Sequence, residues 1–343
     1  MIFVKGMKKK TIRINFRYFW GGFDPENNFL TNILKKEYNV IISENPDYMF
    51  YSVYPEVHTR DVSKIGKLIK SISPSLYISL RRIYPKILLI LNGQKEIPEV
   101  EGNFVKIFYG GEHIKPDMNK CDWAFSSEFD DTFNHPKHMR LPCYVINDFS
   151  LGQKAIPPVK KKINFNNIKK EKTKFCNFIY SQDFPPRNNF FKELSKYKKI
   201  DSPGRCMNNM PPIGSYSDSG KSRNSKNWVY EKLKFIKPYK FTIGFENASV
   251  SGWTTEKLTH PMLVNSIPIY FGHKDVSKEF NTKSFINYSD FGNMKDFIDY
   301  IIKVDKDDRL YEKILREPWF KDNKINIWFK GETYLKRFRE IFG

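Results

Sequence analysis

FTIGFENASVSGWTTEKLTHPMLVNSIPIYFG, residues Phe241 to Gly272, is the stretch on which the fold turns. Phe241 to Phe245 is a short apolar run of strand length. Thr254 and Thr255 are N-cap residue types, so a helix is expected to start there. A second apolar run, Ile267 to Phe271, is again strand-sized. A strand, a helix and a strand in this order form a β-α-β unit with parallel strands. Ligands of such units sit at the carboxyl ends of strands, near helix N-termini. Glu256 and Lys257 fall in the first turn of the helix, where the backbone N–H groups and the dipole favour an anion. Lys257 would add a full positive charge for a phosphate, and Glu256 could accept two hydrogen bonds from a cis-diol such as a ribose. A plainer reading fits as well, with Glu256 complementing the dipole and Lys257 solvated. The residues alone leave both open.

Outward from this unit the pattern repeats. Phe175 to Tyr180 reads as a strand, and Phe190, Phe191, Leu194 and Tyr197 mark a helix face. Arg187 stands at the start of that helix behind two prolines, where it could reach a diphosphate bidentately or simply lie on the surface. In the first half, Ile12, Ile14, Phe16 and Tyr18 alternate as in a strand with one buried face. A GGFDPE turn follows, then Phe29, Leu30, Ile33, Leu34 and Tyr38 at helical spacing. Val40 to Ile42, Tyr48 to Val53, Ile87 to Leu91, Phe104 to Tyr109 and Trp123 to Phe125 read as short strands. After the Phe104 strand, two glycines lead to Glu112 in YGGEH, a place for a general base or an ordinary turn carboxylate. Trp20 could stack on the apolar face of a sugar and Asp24 could bond its hydroxyls, or both could belong to the core and the turn beside it.

Composition changes between Lys154 and Lys174, where PPVKKK, NFNN and KKEKTK crowd together. This divides the chain into an N-terminal α/β domain over 1–153, a basic linker over 154–174, a second α/β domain over 175–315 and a basic aromatic helical segment over 316–343. Ser202 to Asn227 is expected to be a long loop.

The chain has 343 residues with 58 Lys and Arg against 38 Asp and Glu, a net charge of +20, and 40% hydrophobic residues. That excludes a disordered charged tail and suggests an anionic partner: nucleic acid, an acidic membrane or a phosphorylated substrate. Cys121, Cys143, Cys176 and Cys206 form no CxxC pair and have no His at metal-ligand spacing, so they read as scattered thiols of a reducing compartment. No run reaches the length of a membrane span, and the Lys-rich N-terminus lacks a signal-peptide h-region, so a cytoplasmic protein is expected.

FENASVSGWTTEKLTHPMLVNSIPIYFG resembles the signature of the α-1,3/4-fucosyltransferases of glycosyltransferase family 10, roughly F-x-x-x-F-E-N-(S)-x-x-x-x-Y-x-T-E-K…I-P-I-Y-x-G. The match continues through SFINYSDF. YGGEHIKPDMNKCDWAFS resembles the family's Gly-Glu-Asn segment, and FWGGFDPENNFLTNILKKEYNV with NPDYMFYS resembles the bacterial members. An apparent insertion over Asp61 to Ile97 falls outside the likeness.

The resemblance implies an α/β fold of GT-B architecture, two Rossmann-like domains facing each other across a cleft, the N-terminal one for acceptor and the C-terminal one for GDP-β-L-fucose. It implies an inverting transfer to a hydroxyl, O3 of GlcNAc or Glc, of an N-acetyllactosamine-like β-galactoside glycan. Glu112 would be the general base, Glu256 would hold the ribose, and Lys257 with Arg187 would stabilise the diphosphate. Glu246, Asn247 and Trp253 would complete the donor site, and Trp20 and Asp24 would meet the acceptor. No metal would be required, with stimulation by Mn or Mg left open. Bacterial relatives act on lipid-linked or lipopolysaccharide glycans, so the C-terminal segment is expected to touch an anionic membrane surface, at the inner face, or else to pack on the body. A GT-B enzyme for another nucleotide sugar and, motivated only by charge, a nucleic-acid-binding protein are the alternatives; the basic residues form no recognisable nucleic-acid motif.

Three departures stand out. Trp253 occupies the usual Tyr position, which would lose a phenolic hydrogen bond to the donor and keep stacking. His113 replaces Asn after the base, and Pro261 sits inside the helix.

Overall fold

Alternation becomes structure at β1 (Thr11–Arg17), which in the computed structural model buries Ile12 and Ile14 and leaves Thr11 and Arg13 to solvent. The structure describes residues 9–20, 23–54, 99–148, 163–213, 226–324 and 326–343. The strand expected at Ile87 to Leu91 and the stretch Asp61 to Ile97 expected as an insertion lie outside these residues, as do parts of the expected linker and of the long loop.

The first sheet runs β2-β1-β3-β4-β5-β6, with β2 (Asn39–Ile42), β3 (Tyr48–Tyr51), β4 (Val105–Tyr109), β5 (Trp123–Ser126) and β6 (His138–Arg140). Neighbours from β2 to β5 are parallel. The chain steps from β1 out to β2 and then returns to lay β3 on the other flank of β1. The order reverses between β1 and β3, and sheets of this kind bind ligands beyond the carboxyl ends at such a switch point. Helix α1 (Phe29–Leu34) starts at Asn28, whose side chain accepts from the Thr31 N–H.

The second sheet runs β11-β10-β9-β7-β8, from β7 (Lys174–Asn177), β8 (Ile200–Asp201), β9 (Tyr239–Phe245), β10 (Ile267–Phe271) and β11 (Ile286–Asn287), parallel throughout. Here the order reverses between β7 and β9. Strands β9 and β10 are buried on both faces, which is why they read as continuous apolar runs. The core gathers Phe178, Phe190, Phe241, Ile243, Ile269, Phe297 and Leu315.

Two compact units result. The N-terminal unit comprises 1–126, 134–139 and 335–343; the C-terminal unit comprises 127–133 and 140–334. They do not divide where composition changes. The described end of the basic 154–174 stretch forms helix α4 (Phe165–Glu171), after α2 (Asp130–Phe133) and α3 (Cys143–Asp148), and it buries Ile168 in the second core. Lys169 and Lys170 lie on its outer face and Lys172 is buried at its end, so these described residues are packed structure; 154–162 lie outside the described residues.

The C-terminal segment follows the second of its two expected courses and packs on the body. It is helical from Gly331 to Phe342 (α10), and the apolar face packs on the N-terminal unit. The Phe338 ring lies 5.4 Å from that of Phe125, and Phe342 lies 5.5 Å from Tyr38 and 4.5 Å from Tyr48. Tyr334, Leu335, Phe338 and Phe342 are all buried. An amphipathic helix buries its apolar stripe on whatever apolar surface is nearest, and the chain's own sheet supplies it. That face is covered by the chain itself. No helix among the described residues is long and apolar enough to cross one.

Candidate active site

In the N-terminal unit three segments end at the same edge of the sheet: β1 leads to Trp20, β3 to Tyr54, and β4 through Gly110 and Gly111 to Glu112. The Tyr54 hydroxyl donates to Glu112 Oε1 at 2.7 Å. The Trp20 ring lies 5.8 Å from that of Tyr54, and a Cβ added at Gly111 would stand 3.4 Å from Trp20. The structure thus brings Glu112 and Trp20 together at the switch point of this sheet, with Tyr54 between them. A phenolic hydrogen bond to a carboxylate stabilises the charged form and fixes its orientation. Asp24 is placed otherwise. Its Oδ1 accepts the Glu26 N–H at 2.9 Å and its carbonyl the Asn28 side chain at 3.0 Å, so it builds the turn before α1.

In the C-terminal unit the corresponding edge lies past β7 and β9. Helix α5 (Pro185–Ser195) starts with two prolines and no side-chain cap, which sets Arg187 at its third position. Arg187 is 1% exposed. Its Nη1 donates to Asn247 Oδ1 at 3.1 Å and its Nη2 to the Gln182 carbonyl at 2.6 Å, and its guanidinium lies 3.7 Å from the Tyr180 ring centre. Among the described residues Nε has no hydrogen-bond partner and no carboxylate lies within ion-pair distance of the group, Asp183 acting on it only from further away. Burial pulls the Arg187 pKa down, and the opposing pull of Tyr180, Cys206 and Asp183 is too weak to offset it.

Past β9, the N-cap of helix α7 (Glu256–Leu263) is Thr255, and Glu256 and Lys257 occupy its first turn as expected. After α6 (Lys226–Ile236) the chain needs a close approach here. A Cβ at Gly244 would stand 2.6 Å from the Lys257 carbonyl, so only glycine lets the helix lie this near the strand. The helix N-terminus is closed from inside. Glu246 Oε1 takes the Thr255 N–H at 2.8 Å, and the Lys257 N–H bonds the Thr255 hydroxyl at 3.3 Å. An anion is therefore left with the side-chain charges rather than with open backbone N–H groups. Glu246 is fully buried, with Oε2 3.3 Å from Lys257 Nζ and 2.8 Å from the Thr255 hydroxyl. It sits beneath the site and aims Lys257, rather than facing a donor itself. Trp253 is likewise buried and presents no open face for stacking. Asn247 is exposed and oriented by Arg187.

The side chain of Glu256 is 24% exposed and lies 3.6 Å from Lys232, so it is the carboxylate here that a ligand can reach. Burial opposes its charge, but Lys257 and Lys232 outweigh burial and hold the carboxyl well below the usual carboxylate range. Burial likewise opposes the Lys257 charge, and Glu246 with Glu256 raises the ammonium above its ordinary value. Burial pushes the Glu246 carboxyl up against the pull of Lys257. The secure charges are thus the ammonium of Lys257 and the carboxylate of Glu256. Among the described residues no group of His, Cys, Asp or Glu is gathered that could hold a metal ion.

Tyr54, Tyr180 and Lys232 were not picked out by the sequence reading. Tyr54 and Tyr180 each lie just past the end of a strand, the place where ligand-facing residues collect. Lys232 carries no local signal among so many lysines.

Two family models match the chain: "Alpha-(1,3)-fucosyltransferase FucT N-terminal domain" over residues 14–65 and 68–147, and "Glycosyltransferase family 10 (fucosyltransferase) C-term" over residues 169–338. Alpha-(1,3)-fucosyltransferase FucT of Helicobacter pylori is 28% identical over 246 residues, which cover 68% of this chain and 49% of that protein. GDP-fucose protein O-fucosyltransferase 3 of Xenopus laevis is 29% identical over 202 residues, 57% of this chain and 40% of that protein. The chain thus spans half or less of the length of these curated relatives. A crystal structure of an α1,3-fucosyltransferase with GDP-fucose superposes with a TM-score of 0.66 at 22% identity, covering 99% of this chain and 93% of that one. The likeness establishes the fold, an α/β architecture of the GT-B type. The family models span most of the sequence, with the site motifs inside them, and the chain belongs to glycosyltransferase family 10.

Proposed function

We propose that the protein is an inverting fucosyltransferase that moves L-fucose from GDP-β-L-fucose to a hydroxyl of a β-galactoside glycan, O3 of GlcNAc or Glc. The observation that carries this reading is Arg187: a buried guanidinium with no ion-pair partner among the described residues, beside Asn247 and at the same strand edge as Lys257 and Glu256. A buried, unpaired charge is costly, and an anionic ligand is what would balance it. Arg187 and Lys257 would take the diphosphate and Glu256 the ribose diol. Family membership and the named relatives support GDP-fucose as the donor.

In the reaction, Glu112 takes the proton of the acceptor hydroxyl while that oxygen forms a bond to fucose C1. The bond from C1 to the β-phosphate oxygen breaks, its electron pair leaves with GDP, and attack on the opposite face converts the β-linked donor into an α-linked product. Arg187 and Lys257 balance the charge that builds on the leaving diphosphate, which is where preorganised cations lower a barrier most. Tyr54 holds the carboxylate of Glu112, and Trp20 offers a ring to the acceptor. A peripheral membrane location rests on the charge of +20 alone, since the apolar face of α10 is covered.

The test is incubation with GDP-fucose and N-acetyllactosamine, followed by linkage analysis of the product. The reading fails if no fucosylated product forms on lactosamine-type acceptors and GDP does not bind. Because one relative is named a protein O-fucosyltransferase, a Ser/Thr peptide arm tests a protein acceptor. Thermal shifts with GDP-mannose and UDP-sugars test another donor.

A further inference from the structure

The loop from Glu246 to Thr255 connects the two halves of the donor site: Asn247 at its start meets Arg187, and Thr255 at its end meets Glu246 and Lys257. It has no secondary structure of its own, so something else must fix its path. Ser249 Oγ donates to the Gly272 carbonyl at 3.3 Å, Ser251 Oγ to Asp275 Oδ2 at 2.6 Å, and the Tyr144 N–H to the Thr254 carbonyl at 3.1 Å. The most buried tie is Arg140, which is 1% exposed. Its Nε and Nη2 grip Glu279 at 2.8 and 2.7 Å, its Nη1 donates to the Ser127 carbonyl, and its Nη2 reaches the Gly252 carbonyl at 3.2 Å. The guanidinium also lies 3.9 Å from the ring centre of Phe129.

Gly252 is the other half of the device. Its φ of +75° is a left-handed conformation that favours glycine, and a Cβ there would stand 2.0 Å from the Ser127 carbonyl and 2.8 Å from Arg140 Nη1. The loop can therefore approach Arg140 only with glycine at this position. One charged fork joins the residues after β5, the donor loop, and the segment after β10.

We propose that Arg140, acting through Gly252, is a positioning residue that sets the geometry of the diphosphate site without touching the donor. The proposal rests on the donor reading above. Arg140→Lys keeps the charge and loses the planar fork. GDP titrated calorimetrically into full-length Arg140→Lys should bind about tenfold more weakly, the scale of one misplaced charge-assisted contact. Gly252→Ala should weaken GDP to a similar extent, and the double variant should be no worse than the weaker single one, because both act on one contact. Leu315→Ala, in the second core and outside the loop, controls for simple loss of stability. It should lower the melting temperature and leave GDP affinity unchanged.

Arg140→Lys and Gly252→Ala that bind GDP as wild type does, or that weaken it additively, would overturn the proposal. So would a Leu315→Ala variant that weakens GDP as much at equal loss of melting temperature. If Arg140→Lys does not fold, Gly252→Ala alone decides. Wild-type protein that binds no GDP overturns the donor reading instead, and this inference with it.

Discussion

Among the described residues, every buried side chain with a formal charge lies in the C-terminal unit: Arg140, Lys172, Arg187, Glu246, Glu279 and Asp305. The buried polar side chains of the N-terminal unit are Thr31, Ser52, Ser126 and His138, set among aromatic and aliphatic residues. Burying a charge is tolerated when a partner is supplied, and most of the six have one. Asp305 accepts from Lys198 at 2.5 Å and lies 2.8 Å from Lys240, for example. Two of the six, Arg187 and Glu246, belong to the proposed donor site. Groups that hold a leaving diphosphate must keep their charge and place throughout, so they are fixed in a network. A general base must change protonation in every turnover, so Glu112 sits half-exposed with a phenol to steady it.

The largest expected effect separates chemistry from binding. Glu112→Gln should lower kcat by about 10²- to 10⁴-fold, the usual contribution of a positioned base. Its GDP affinity and melting temperature should match wild type. Turnover assays and calorimetry check this together, and a variant that loses GDP affinity as well would break the comparison between the units.

Lys257→Met should instead couple binding to stability. It leaves the fully buried Glu246 without its cation, a loss of about 3–5 kcal/mol for one broken buried pair, and it weakens GDP binding. The Glu246 pKa is already raised by burial and loses the opposing pull of Lys257. A carboxyl raised in the folded state favours folding at low pH and loses that contribution as pH rises through the folded value. The destabilisation should therefore be greater at pH 8 than at pH 5, as melting curves at both would show. Adding Glu246→Gln should restore much of the stability and none of the GDP affinity.

What the sequence disclosed follows the same division. Strands β1 to β5, β7, β9 and β10 were legible as alternating or short apolar runs, whereas β6, β8 and β11, two or three residues long, carry too few positions to show a pattern. Thr255, Glu256 and Lys257 were legible because cap chemistry is local. Glu246 was found as a motif residue, but its place beneath Lys257 depends on how close Gly244 lets the helix come, which no local pattern reports. Residues 163–174 read as part of a linker because the outer face of α4 is Lys-rich and a single buried Ile168 gives no period. The apolar face of α10 was plain, but not the surface that covers it, since its partners Tyr38, Tyr48 and Phe125 lie roughly two to three hundred residues earlier in the chain.

Tyr54→Phe should have a smaller, chemical effect. Losing a hydrogen bond to a charged group is worth about 1.5 kcal/mol, so kcat should fall about tenfold. The KM for GDP-fucose should hold, and the acid limb of the pH–rate profile should move to higher pH, because a carboxylate without its donor is harder to ionise. A variant with lower specific activity and an unmoved limb would show Tyr54 to be merely structural.

An effect on stability alone, with none on the reaction, concerns a buried charge of the C-terminal unit outside the proposed site. Lys172 donates to the carbonyls of Lys237 and Val264, just past α6 and α7, and burial pulls its ammonium down to about 7, with Glu171 opposing. Between about pH 7 and its ordinary value the unfolded chain holds a proton that the folded chain has released, so this group makes stability rise with pH. The penalty for burying it is greatest below pH 7. Lys172→Met removes that slope. The melting temperature of wild type relative to the variant should therefore climb from pH 6.5 to pH 9, with GDP affinity unaffected at either end. A flat difference would mean that the two helix-end carbonyls, at the negative ends of their dipoles, hold the ammonium fully charged despite burial.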